Sequence, residues 1–327
     1  MRPFVRKILI FSAIMLTLIV AAEIYVRSMP NPARYKHQWM LAHSTEVETL
    51  ILGSSHTFYG INPAMFGPHA FNIAQPTQPY RYDWYQLTHY PMPRLKTVIL
   101  PFSYQSVFED LEAQPHLRYW AVRYRLYMDC DIHSPLSIYG FECLHIAPFK
   151  EKLTSLWRPA QVKWDSLGFG TTNGTTSLLL QGKDNGKQRA EENTYVETTD
   201  KLNLDLDPGR DRLHAQPIMF LDSIAGWCDR RNVRLLLITS PVSPSFRRYS
   251  NPRQVAISDS TLRQIIRRHP CISYHDYWAD PTFRPADFYD ADHLNLYGAN
   301  KLTKKVVKDL FLNKKVVNLP RKNTDNN

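Results

Sequence analysis

Two short stretches, far apart in the chain, carry residue types that together can cleave or move an ester. The first is Gly53-Ser54-Ser55-His56 and the second is Asp290-Ala291-Asp292-His293-Leu294-Asn295. A serine hydroxyl becomes a nucleophile when an imidazole takes its proton, and the imidazole works best when a carboxylate orients it and balances its charge. Asp290 stands three residues before His293, a spacing that lets the carboxylate fold back onto the ring. On spacing alone either Ser54 or Ser55 can be the nucleophile. A Gly-Ser-Ser tripeptide is a weak signal, since a turn followed by a helix N-cap uses the same residues. Its place at the end of an apolar run raises it. Asp292 alternates with the other two and is expected to face solvent. His56 either contacts substrate or points away at a helix start. A divalent-metal site of His56, Asp290, Asp292 and His293 is the competing chemistry. No His-x-x-x-His or paired Cys-x-x-Cys spacing supports it, so neither metal nor cofactor is expected.

These residues need a scaffold that brings positions over 200 apart to one edge. Short apolar runs at 48–52, 70–74, 97–101, 233–239 and 271–275 alternate with helix-like segments, the pattern of a parallel sheet covered by helices. Ile218, Leu221, Ala225 and Cys228 recur at helical spacing before the fourth run, a further helix follows Pro252, and a last one starts at Asn295. The fold class expected is therefore α/β with a five-stranded parallel sheet. Ser55 then falls at the carboxyl end of the first strand, where such sheets bind ligands. The region 105–210 interrupts the alternation, with a helix expected over 116–128 and a polar segment at 171–200 expected to be its most mobile part. Tyr119, Trp120, Arg123, Tyr124, Tyr127, Trp157 and Trp164 there suit either glycan contact or simple packing.

The serine block after the first strand and the Asp-x-x-His block before the last helix resemble the SGNH/GDSL hydrolase superfamily. Leu-Ile-Leu-Gly-Ser-Ser-His-Thr-Phe-Tyr-Gly-Ile-Asn-Pro, followed by Ala-Phe-Asn-Ile-Ala-Gln, looks like its membrane-anchored bacterial branch of DltD-like and alginate-acetylation-like proteins. The resemblance covers 48–104 and 233–312. It implies a flavodoxin-like three-layer α/β/α fold, with Ser55 as nucleophile, His293 as general base and Asp290 as its partner. The chain departs from the family at two oxyanion-hole positions. The second block has no glycine in Asn72-Ile73-Ala74-Gln75, and Ser103 falls nearest the family's asparagine. The implied donors are then the Ser55 N–H, a backbone N–H near Gln75, and the Ser103 hydroxyl or the Asn72 side chain. The activity implied is that of an esterase or O-acyltransferase working through an acyl-serine on acyl, most simply acetyl, esters. The implied partners are a cell-envelope glycan or lipid-linked saccharide and a membrane-bound O-acyltransferase. A non-catalytic glycan-binding or scaffold protein is the alternative.

Arg2, Arg6 and Lys7 precede an apolar run at 8–26, broken by Glu23. Under the positive-inside rule this places 1–7 in the cytoplasm and the rest outside. The expected order is a transmembrane anchor at 8–26, a juxtamembrane segment at 27–44, an α/β domain at 45–315 containing the insertion 105–210, and a basic tail at 316–327. A cleaved signal peptide ending near Ala21-Ala22 is the alternative. Localisation at a bacterial inner membrane, single-pass with a periplasmic domain, follows from anchor and resemblance together. Cys130, Cys143, Cys228 and Cys271 lie beyond the anchor, and Cys130–Cys143 is the pairing expected of an oxidising compartment. The net charge of +10 is concentrated in the last helix and tail. No nucleic-acid motif accompanies it, so no nucleic-acid partner is expected.

Overall fold

A computed structural model of the 327-residue chain describes residues 2–109, 111, 118–130, 140–142, 163–196 and 215–311. Five strands form one all-parallel sheet: β1 (Thr49–Ile51), β2 (Ala70–Asn72), β3 (Thr97–Pro101), β4 (Arg234–Thr239) and β5 (Ile272–Asp276). The order β2-β1-β3-β4-β5 is that of flavodoxin-like sheets. Leu50, Ile51, Val98, Ile99, Leu100 and Leu235 to Ile238 are wholly buried, as strands covered on both faces require. Each strand lies within two residues of its expected position. The flanking helices include Tyr80–His89, Ala215–Arg231, Pro252–Arg268 and Leu296–Phe311, of which the first two pack together.

The chain runs outward from β1 to β2 and then returns to β3 on the other side of β1. That reversal opens a crevice beyond the carboxyl ends of β1 and β3, and both Ser55 and Ser103 stand there.

Chain contacts divide the molecule into two units, 1–38 with 111–162, and 39–110 with 163–327. In the first, the helix Arg2–Ser28 includes Pro3–Ser28, long and apolar enough to cross a membrane; an anchor and a signal sequence share that property. Glu23 is accommodated because Arg27 Nε donates to it at 2.6 Å and the Glu142 N–H at 3.1 Å. In the second unit, Trp39 stacks on Phe71 with ring centroids 3.7 Å apart. The expected helix at 116–128 is seen over Arg118–Ala121 and Val122–Tyr127. Cys143, Trp157 and the tail 316–327 lie outside the described residues, and with them the Cys130–Cys143 pairing. Cys228 is a buried free thiol on its helix, pushed up to about 12 by burial and then by Asp229, and so inert.

Candidate active site

The turn after β1 is built around Gly53. Its φ of +105° suits glycine alone, and a Cβ there would lie 2.1 Å from Pro101 Cδ on the neighbouring strand. The Gly53 N–H donates to buried Asp83 at 2.7 Å, and its carbonyl accepts from the Gln75 N–H at 3.0 Å. Ser54 then caps a single helical turn, Ser55–Phe58. This tight geometry delivers Ser55, whose Oγ lies 2.8 Å from His293 Nε2. The Ser54 hydroxyl is buried and has no hydrogen-bond partner among the described residues.

His293 arrives from a loop pinned at both ends. Phe288 and Leu294 bridge as antiparallel partners, and both side chains join the core cluster of Ile51, Ile99 and Leu302. The Asn295 side chain accepts from the N–H groups of Tyr297 and Gly298 and so caps the last helix. Asp290 folds the loop back on itself, because its Oδ1 accepts from the N–H groups of Asp292 at 3.1 Å and His293 at 2.8 Å. The same carboxylate receives His293 Nδ1 at 3.0 Å. Ser55, His293 and Asp290 are thus in hydrogen-bonded series, the arrangement in which an imidazole accepts a serine proton.

Asp292 does not face solvent. It is 1% exposed, the most enclosed acid of the loop. Arg189 Nε and Nη2 hold its two oxygens at 2.7 and 3.0 Å, and Asn193 adds a third donor at 3.2 Å. Arg189 belongs to the helix Gly186–Glu192, inside the segment expected to be mobile. The described part of that segment is tied into the fold. Asn173 donates to the Leu294 carbonyl at 2.9 Å, Asn185 accepts from the Ala291 N–H at 3.0 Å, and Ala190 and Ala291 share one buried cluster. Sequence reasoning missed Arg189, Asn193 and the burial of Asp292.

His56 points inward. Its Nδ1 is 2.6 Å from Ser103 Oγ and its Nε2 is 3.7 Å from Asp292. Burial first, against the pull of Asp292, lowers its proton affinity below the ordinary imidazole range. The Ser103 hydroxyl is thus engaged with His56 Nδ1, while His56 Nε2 has no hydrogen-bond partner among the described residues. Two other expected donors are also committed to the scaffold. The Asn72 amide donates to the Thr57 and Ile61 carbonyls at 2.9 and 3.0 Å and accepts from the Ala74 N–H at 3.1 Å. The Gln75 N–H holds Gly53, but its side-chain amide is fully buried, and neither of its atoms has a hydrogen-bond partner among the described residues.

His293 is pushed up to about 10: burial works against the charged ring, and the charges of Asp292 and then Asp290 outweigh it. Ligand atoms of His56, Asp292 and His293 lie within 4.8 Å of one another. A cation there would compete with the Arg189 fork, which already neutralises both oxygens of Asp292, so the donor set suits a proton-transfer site better than a metal centre.

No family model matches the chain, and no curated protein matches it. A solved structure from Streptococcus pneumonia, provisionally described as a platelet activating factor, is 10% identical, with 92% of this chain and 98% of that chain covered and a TM-score of 0.42. A likeness this distant does not bear on substrate.

Proposed function

We propose that the chain is a serine-dependent esterase or O-acyltransferase of the SGNH kind, acting on acyl esters of a cell-envelope glycan beside a membrane. The observation that carries this reading is the series Ser55 Oγ, His293 Nε2 at 2.8 Å, and Asp290 to Nδ1 at 3.0 Å, set at the carboxyl edge of a parallel sheet. Ser55 Oγ attacks the ester carbonyl carbon as its proton passes to His293 Nε2. The tetrahedral intermediate collapses, and the leaving alkoxide takes that proton. Water or a second hydroxyl then gives its proton to His293, attacks the acyl-serine and regenerates Ser55. Hydrolysis and transfer differ only in which acceptor reaches the acyl group.

The developing oxyanion has two donors in this reading. One is the Ser55 N–H at the start of the turn Ser55–Phe58; the other is the Gln75 side-chain amide, which has no hydrogen-bond partner among the described residues. Removing such a donor costs about 3 kcal/mol of transition-state stabilisation, so Gln75→Ala is expected to lower kcat by about 100-fold. The apolar helix Pro3–Ser28 supports action at a membrane, where a lipid-linked saccharide and an integral O-acyltransferase are within reach. Turnover of an acetylated oligosaccharide by the full chain in detergent tests the reading. Acetate release lost in Ser55→Ala is the expected result, and equal release by both proteins would refute it. The commitment of Asn72 and Ser103 to other partners favours one alternative, a glycan-binding protein without turnover, which the same assay would reveal as inactive wild type.

A further inference from the structure

Asp292 has no role in a three-residue relay, yet it is the buried centre of the site. Its Oδ1 lies 3.4 Å from His293 Nδ1, so the imidazole faces two carboxylates at once, Asp290 and Asp292. A general base must be uncharged to accept a proton, and two acids favour the charged ring. The offsetting group comes from far away in the chain. Arg189 forks onto both oxygens of Asp292, and its helix Gly186–Glu192 is seated tightly, since a Cβ at Gly186 would lie 2.2 Å from Ser245 Oγ. The groups facing His293 are Asp290 and Asp292 from its own loop, Ser55, His56 and the Tyr59 ring edge from the turn after β1, and Arg189 through Asp292. Of these, His56 is held neutral by burial.

We propose that Arg189 is a positioning residue for the reaction assigned above: by neutralising Asp292 it restrains the charging of His293, so that the seating of the 186–192 helix on the catalytic loop sets the pH range in which the site works. The inference rests on Ser55 and His293 being nucleophile and base. It gives opposite signs for two substitutions that both break one ion pair. Asp292→Asn removes an acid beside the imidazole and lowers the pH at which His293 titrates. Arg189→Gln exposes that acid and raises it, by about one pH unit or more in each case. A merely structural pair would damage activity in both variants without opposite shifts.

The test is titration of His293 by NMR in the full chain in detergent, labelled with 15N-histidine and assigned by loss of the signal in His293→Gln, beside the pH profile of kcat/KM for an acetyl ester. The expected result is a midpoint moving down in Asp292→Asn, up in Arg189→Gln, and returning toward wild type in Arg189→Lys, with the acid limb of kcat/KM following. An unchanged or lowered midpoint in Arg189→Gln would overturn the proposal, and if that variant misfolds, a midpoint in Asp292→Asn that does not fall overturns it equally. Activity of Ser55→Ala separates the two claims. If that variant is dead while His293 titrates alike in all the proteins, only the role of Arg189 fails; if it retains full activity, the reading of the site fails whatever the titration shows.

Discussion

At His293, activity and stability are expected to respond to pH in opposite directions. In the proposed function the neutral ring is the working base, so kcat/KM is expected to rise with pH, with its acid limb above the ordinary value of 6.5 and toward about 10. The charged ring is the one that its two acids stabilise. Its folded-state value is raised, so its contribution to stability is fully present below 6.5 and is lost as pH climbs through about 10. Urea midpoints read against the kinetic profile over that window check the pairing; a midpoint that rises with pH there would count against it. Ser55→Ala and His293→Ala are each expected to abolish turnover, and the double variant to be no worse, because nucleophile and base act as one unit. Asp290→Asn is expected to be milder in acetyl-ester assays, since Ser55 and His293 both remain in place. The Asp-x-x-His spacing was readable because both partners of that contact lie in one turn of loop. The neighbouring Asp292 was misread as solvent-facing because its partner Arg189 stands 103 residues earlier, a distance no local pattern spans.

Two elements hold the site's edges, and each has a residue whose replacement reads out its role. Gly53→Ala must force a Cβ against Pro101 at a φ of +105°, so the turn that presents Ser55 is expected to shift; ester turnover falls by far more than the melting temperature. Asn295 is fully buried, caps the last helix and donates to the Ala286 carbonyl at 2.7 Å. Asn295→Ala is expected to cost about 2 kcal/mol in denaturant unfolding, and a loss below the uncertainty of the extrapolation would contradict its role. The strands were legible because a doubly covered parallel sheet demands uninterrupted apolar runs such as Leu235 to Ile238. The last helix was legible through Asn295 and the stripe Ala299, Leu302 and Val306, all now buried. The 186–192 helix was not, because it is short and polar and is held by packing of Gly186 and Ala190 rather than by its own pattern.

The molecule as a whole joins an apolar N-terminal helix to an α/β unit whose strand reversal opens beside Ser55. Retention of that helix is expected, with intact mass of membrane-extracted protein matching a start at residue 1; a mature start near Glu23 would show cleavage instead. The central claim is that Ser55, activated by His293, is the nucleophile, and it is tested most directly by covalent labelling of the full chain with a fluorophosphonate probe followed by peptide mass mapping. Labelling at one residue, Ser55, retained in Ser54→Ala and lost in both Ser55→Ala and His293→Ala, is the expected result; no labelling of a folded wild type, or a label that persists in Ser55→Ala, would contradict it.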